Sequence, residues 1–349
     1  MLKKTHAFLS AITAAVLLCS CGAKGDSSSK TESSSAAEAT TTKATVTLPQ
    51  ESSSADESAA SNEQSSITPL MWKITTPEGN EMTLIGSMHA LTDECYPLPD
   101  RIMTAYESAD VVACEFDVIE NGADLASQLT LMNESMYEDK AENIALHLSK
   151  ETCDGLTGFF AHYGYNMDIM KHYKPWMLDM LCEQLISAEG GLDTQKGIDM
   201  HIVQKAHDDG KEIFEAESFE LQMGIFTGLS DDVYDVLLSA YTVDNLETLK
   251  KNLTDTYEVW KKGDISATEA YFTQADEETY GALTDKQKAA LDEYNQALLY
   301  ERNKGMAECA DKLLKEHKNT FFMVGLAHFI GEGGIIDLLE QKGYKAELI

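Results

Sequence analysis

The chain has 349 residues, of which 43% are hydrophobic, 8% aromatic and 25% charged, and 27 basic against 59 acidic side chains leave a net charge of −32. A hydrophobic share of this size excludes a wholly disordered chain. The excess of acid argues against binding to a DNA or RNA backbone, which needs clustered Lys and Arg, and six prolines exclude a proline-rich scaffold.

Residues 1–21 read as an address. Lys3 and Lys4 form a positive start, and Ala7 to Leu18 is an apolar run too short for a comfortable membrane span. Leu18-Cys19-Ser20-Cys21 follows, with Leu at −3, a small residue at −1 and Cys at +1. This resembles the bacterial lipobox, which implies lipidation at Cys21 and a protein held by its lipid at the cell surface, on the outer face of the cytoplasmic membrane. Residues 22–68 are Ser, Thr, Ala and Glu with almost no large apolar side chain, so they cannot bury a core and read as a tether. Such a tether has a root-mean-square span of about 40 Å. Setting aside the signal's two lysines and the tether's three lysines and seven acids leaves −30 on residues 69–349. A surface this acidic favours solubility and repels anionic surfaces.

Residues 69–349 read as one α/β domain. Met71 to Thr75 and Met82 to Ile85 are strands joined by the turn Pro77-Glu78-Gly79-Asn80. A loop over 90–98 leads to a helix over 99–108, and Asp110 to Phe116 is an apolar strand carrying Glu115 at its end. Helices are expected over 125–134, 151–163, 175–188, 198–208, 246–262, 266–276 and 284–316, with one short strand over 212–215 before Glu217. Strand 320–324, helix 335–342 and a final strand over 344–349 complete the chain. Strand, GxxH, loop, helix, strand thus occurs at both ends of the domain. The expected architecture is a mixed central sheet built from these two halves, with a large helical insertion between them. Crossovers of this kind favour parallel pairing, which puts both GxxH motifs at carboxyl ends of strands, where open α/β sheets carry their sites.

His89 and His328 occupy matching places in Gly86-Ser87-Met88-His89 and Gly325-Leu326-Ala327-His328. Imidazole is both a metal ligand and a general base near neutral pH. A single His at a strand end is ordinarily a structural hydrogen-bonding group; two in matched context with Glu115 form a familiar catalytic metal set that leaves a position open for water. Arg302 has the planar fork that suits a carboxylate. Asn303 could order a site by hydrogen bonding, and Glu217 could be a further ligand or a partner for Arg302. Asp199, near the start of a helix, reads as a cap. His172 and His201 read as ordinary structural or surface histidines. Cys95, Cys114, Cys153, Cys182 and Cys309 are odd in number and show no CxxC spacing, so no disulfide framework is indicated; Cys114, in an apolar strand, reads as a core thiol.

These residues carry a resemblance. Leu84-Ile85-Gly86-Ser87-Met88-His89, Ser108 to Glu115, Gly197-Ile198-Asp199, Ala216-Glu217-Ser218 with Gln222 downstream, Glu301-Arg302-Asn303 and Val324 to His328 resemble the TraB/GumN family over about residues 70–349. Ala216 departs from the Leu usual before that Glu. The resemblance implies an α/β fold whose site holds the two GxxH histidines and a Glu. It extends to the Tiki metalloproteases, linked to Mn²⁺- or Co²⁺-dependent peptide cleavage, to relatives implicated in shutting down peptide pheromones, and more distantly to erythromycin esterase, a lactone hydrolase.

Three functions remain open at this level. The leading one is a surface hydrolase of peptide bonds, with His89, Glu115 and His328 holding a divalent metal (Mn, Co or Zn) or, without metal, acting on water directly, and with Arg302 countering negative charge. Its partners would be a peptide or protein substrate and, through the lipid, the membrane. The others are a lipoprotein that sequesters a peptide without cutting it and a metal-independent esterase.

Overall fold

The structure is a computed structural model that describes residues 67–273 and 280–349. The signal, Cys21 and nearly all of the tether lie outside the described residues, as does the end of the helix expected over 266–276. Among the described residues no helix is long and apolar enough to cross a membrane.

Six strands form one sheet: β1 Met71–Thr75, β2 Glu81–Ser87, β3 Val111–Cys114, β4 Glu212–Glu215, β5 Asn319–Gly325 and β6 Glu347–Leu348. Their order is β4-β3-β5-β2-β1-β6. The hairpin β1–β2 is antiparallel, whereas β2, β5, β3 and β4 run parallel. The last-made of the parallel strands is therefore central: β5 pairs with β2 on one side and β3 on the other. Strands buried on both faces are apolar without alternation. That is the pattern of β3 (VVAC) and of Phe321, Phe322, Met323 and Val324 in β5, all at most 2% exposed.

Helices α1 Asp100–Ser108, α2 Val118–Ala123, α3 Leu125–Glu134, α4 Lys150–His162, α5 Pro175–Glu189 and α6 Ile198–Asp209 precede β4. After it come α7 Phe219–Gly228, α8 Asp231–Leu238, α9 Leu246–Lys262, α10 Ile265–Thr273, α11 Asp285–Asn295, α12 Glu301–Glu316 and α13 Ile335–Gln341. Helices α1 and α12 pack on β5, and α6 packs on β3 and β4. Local chemistry fixes many helix starts: Ser149, Ser218, Ser230 and Thr284 each cap a helix with the side-chain oxygen.

Helices α2, α7 and α8 were not expected from the sequence, and two expected elements take another form. The helix expected over 284–316 is interrupted by a π-helical turn, Gln296–Tyr300. The final strand shrinks to Glu347–Leu348 and pairs antiparallel with β1, at the opposite edge from the parallel strands, so the second half does not repeat the parallel crossover of the first. Its residues are exposed, so no apolar burial draws them further into the sheet. All five cysteines of the domain are free: Cys95, Cys114 and Cys182 are buried, Cys153 and Cys309 half-buried.

Candidate active site

The four parallel strands each deliver one polar side chain just past their carboxyl ends. In sheet order these are Glu217 after β4, Glu115 after β3, His328 after β5 and His89 after β2. Neighbouring strands lie roughly 4.8 Å apart, so consecutive strand ends place consecutive side chains within reach. Arg302 and Asn303 come from the start of α12, directly after the π-helical turn. Such turns add a residue to the helical repeat and recur at functional sites. All six residues are buried, His328 completely.

Glycine sets the closeness of the two motifs. A Cβ on Gly86 would lie 2.9 Å from Leu326 Cα, so the first GxxH rests against the second only because its first residue has no side chain. The Trp260 indole Nε1 donates to the Gly86 carbonyl at 2.8 Å and holds that strand end in place. Gly197 performs the same service beneath His89, where a Cβ would come 2.5 Å from the His89 carbonyl oxygen. Backbone atoms cannot yield as a flexible side chain would. Gly197→Ala is therefore expected to shift His89 and lower turnover by about 10²-fold, at a stability cost of about 1–3 kcal/mol. Gly224→Ala in α7, where a new Cβ meets nothing within 4 Å, should leave turnover unchanged. Kinetics and urea titrations of the two variants side by side make the comparison.

Each imidazole is oriented through Nδ1. His89 Nδ1 donates to Asp199 Oδ2 at 2.6 Å. Asp199 is thus the partner of His89 and not a helix cap; the residue at the start of α6 is Gly197, which offers no side-chain oxygen. His328 Nδ1 lies 2.7 Å from Asn303 Oδ1, while Asn303 Nδ2 donates to the Gly333 carbonyl at 2.9 Å. With the amide nitrogen committed to Gly333, the amide oxygen faces His328, so Nδ1 carries the proton and Nε2 presents a lone pair. That Nε2 is buried without a hydrogen-bond partner.

The carboxylates are gathered around one guanidinium. Arg302 Nη2 donates to Glu115 Oε2 at 2.6 Å and to Glu217 Oε2 at 2.8 Å, and Nε reaches both Glu217 oxygens at 3.0 Å. Gln222 Nε2 bridges the two acids, at 2.7 Å from Glu115 and 3.2 Å from Glu217. The amide of Gly325, the first residue of the second motif, donates to Glu115 Oε1 at 2.8 Å. Sequence reasoning placed Glu217 opposite Arg302 as one option but gave Gln222 no role. Gln222, five residues after Glu217, has only its place among the family motifs as a signal.

Burial opposes the charge on Glu115, but the Arg302 guanidinium and the Gly325 amide favour it, and its pKa is held down to about 2. Burial, joined by the Arg302 charge, holds His328 down to about 3 against the pull of Glu115, so its imidazole is neutral. The signs for stability agree. Glu115 is depressed from 4.5, so its contribution is complete above that value and is lost as pH falls toward 2. His328 is depressed from 6.5, so below that value the unfolded chain binds the proton that the folded one refuses. The unfolding midpoint is expected to fall steadily from pH 6.5 to 3, and less steeply in His328→Gln, as calorimetry across that range would read.

His172 is half-buried outside this cluster, and His201 packs against Tyr96 with ring centroids 4.9 Å apart and the planes tilted by 50°. Among the described residues no three His, Cys, Asp or Glu side chains form a ready-made metal group.

The chain is 26% identical over 160 residues to YbaP, an uncharacterized protein of Escherichia coli (strain K12); the match takes 45% of this chain and 56% of YbaP, so the chain spans about half the length of that relative. It is 22% identical over 284 residues to an uncharacterized protein of Treponema pallidum (strain Nichols), covering 78% of this chain and 80% of the other. Over 56 residues it is 45% identical to the metalloprotease TIKI2 of Xenopus tropicalis, which is 16% of this chain and 11% of that protein. No solved structure matches. The TraB/PrgY/gumN family profile matches residues 70–348, nearly the whole of the described domain, and the chain belongs to that family.

Proposed function

We propose that this protein is a hydrolase of peptide bonds, held by a lipid on Cys21 at the outer face of the cytoplasmic membrane. The observation that carries the reading is the pair of histidines at neighbouring strand ends, each fixed through Nδ1 by a side-chain oxygen, beside an Arg302-bound carboxylate pair. The short match to metalloprotease TIKI2 supports the reaction class.

The residues suit a divalent cation. Glu115, Glu217 and Asp199 bring three buried carboxylates, Arg302 returns one positive charge and His328 stays neutral, so the cluster carries excess negative charge. The unpartnered Nε2 of His328 is a ligand atom in waiting. His89 and His328 would hold the cation, with Glu115 beside them already bonded to Arg302, Gln222 and Gly325. Bound there, Mn²⁺, Co²⁺ or Zn²⁺ supplies Lewis acidity toward a carbonyl oxygen or a water. The chain's own part is orientation and proton handling. Asp199 and Asn303 keep each Nδ1 protonated, Arg302 keeps Glu115 ionised, and without a cation the lone pair on His328 Nε2 is the atom that takes a proton from water.

The test is the full chain incubated with a peptide library, with and without Mn²⁺, and read by mass spectrometry beside His89→Ala. Cleavage by wild type alone supports the proposal; a folded, metal-loaded wild type that leaves every peptide intact counts against it. Second-sphere orientation predicts that Asp199→Asn lowers metal affinity or turnover by about 10–100-fold, which a titration with Mn²⁺ would measure.

A further inference from the structure

A cavity of about 420 Å³ is lined by none of the residues of the histidine site. It is walled by aromatic rings. Tyr137 stacks on His147 at 4.9 Å between centroids with 13° between planes, and Trp176, at the start of α5 and 3% exposed, forms another wall. Two hydrogen-bonding atoms of these lining residues are unused: the Trp176 indole Nε1 and the Tyr137 hydroxyl are both buried and both lack a partner. An indole N–H can only donate, so what satisfies it must bring an acceptor oxygen. The lining is also acidic. Glu138, Glu142 and Asp231 face one lysine, Lys174, and the balance stays negative whether or not His147 carries a proton. His147 is clamped between Asp231 at 2.9 Å and Glu142 at 3.1 Å, which fixes the flat face that it shares with Tyr137.

An acceptor oxygen, a cation and a flat π-surface are together met by one chemical class. We propose that this cavity binds a basic peptide segment. Its backbone carbonyl accepts from Trp176 Nε1, and the Tyr137 hydroxyl serves a second carbonyl. Its Lys or Arg side chain lies along the Tyr137 ring, where a cation is attracted to the π-face, with its charge met by Glu138, Glu142 and Asp231. Lys174 opposes entry of a second cation, so the cavity takes one basic side chain at a time. The site does not depend on hydrolysis at the histidines.

The experiment is isothermal titration of the full chain with acetyl-Ala-Ala-Arg-Ala-Ala-amide and with the same peptide carrying Glu in place of Arg. The expected result is saturable binding of the Arg peptide alone, weakened about tenfold in Trp176→Phe, which keeps a ring but removes the donor. Glu138 is exposed, so Glu138→Gln leaves the fold untouched and should weaken binding by a few-fold and flatten its salt dependence. His89→Ala should bind as wild type does. Equal binding of the two peptides, binding unchanged in both Trp176→Phe and Glu138→Gln, or binding lost in His89→Ala would each overturn the assignment.

Discussion

Replacing His328 by glutamine is expected to lower the proposed peptide hydrolysis by about 10²–10⁴-fold, the range contributed by a positioned acid–base group. Glutamine approximates the length of the imidazole and leaves an amide to face Asn303, so the core should survive where alanine would leave a void in a fully buried place. What glutamine does not reproduce is the Nε2 lone pair that Asn303 and Gly333 enforce. The two routes to hydrolysis separate in this variant. If the imidazole holds a cation, Mn²⁺ binding falls together with turnover. If it takes a proton from water directly, turnover falls and metal content does not change. A His328→Gln protein that cleaves at the wild-type rate would remove His328 from the reaction altogether. Steady-state kinetics with parallel metal analysis reads all three cases.

Arg302→Met is expected to cost about 3–5 kcal/mol of stability, because it leaves two buried carboxylates without their shared cation. Glu115 and Glu217 are 5% and 7% exposed, too little for water to take over the role of the guanidinium. Burial opposes the charge on Arg302, and the two carboxylates reverse that effect and raise its pKa, so charge on each side depends on the other. The dependence has a checkable corollary. Arg302→Met combined with Glu115→Gln and Glu217→Gln should recover much of the lost stability, since no buried charge is then left alone, while hydrolysis stays absent. Urea unfolding of the single and triple variants decides the matter. A single variant within about 1 kcal/mol of wild type would mean that the cluster is hydrated and behaves as a surface ion pair.

Much of this geometry was legible in the chain because its signals are local. The turn at Pro77 to Asn80, the apolar runs of β3 and β5 and the glycines before each histidine are written within a few residues of where they act. The six candidate side chains were marked by motif context, and the structure brings them to the carboxyl ends of the parallel strands. What could not be read locally is long-range. Asp199 looks like a helix cap because it stands two residues after a glycine at a helix start; its bond to His89 spans 110 positions. The insertion of β5 between β2 and β3 leaves no trace in either flanking segment. The π-helical turn before Arg302 sits in a stretch, QALLY, whose composition is that of an ordinary helix. The end of the chain misled for the opposite reason. A strand was expected over 344–349, but an edge strand without apolar cover pairs over only two residues.

The place of β5 also governs when the protein can act. During synthesis the chain emerges from its amino end, and β2 and β3 are finished some two hundred residues before their common neighbour exists. Until then two of the parallel strands that frame the histidines have an unfilled slot between them, Glu115 lacks the amide of Gly325, and its guanidinium partner arrives only with residue 302. No nascent or truncated form that stops short of β5 has a site. A chain with this order of assembly gains its histidine–carboxylate cluster only near the end of synthesis, and whatever chemistry that cluster supports waits until then.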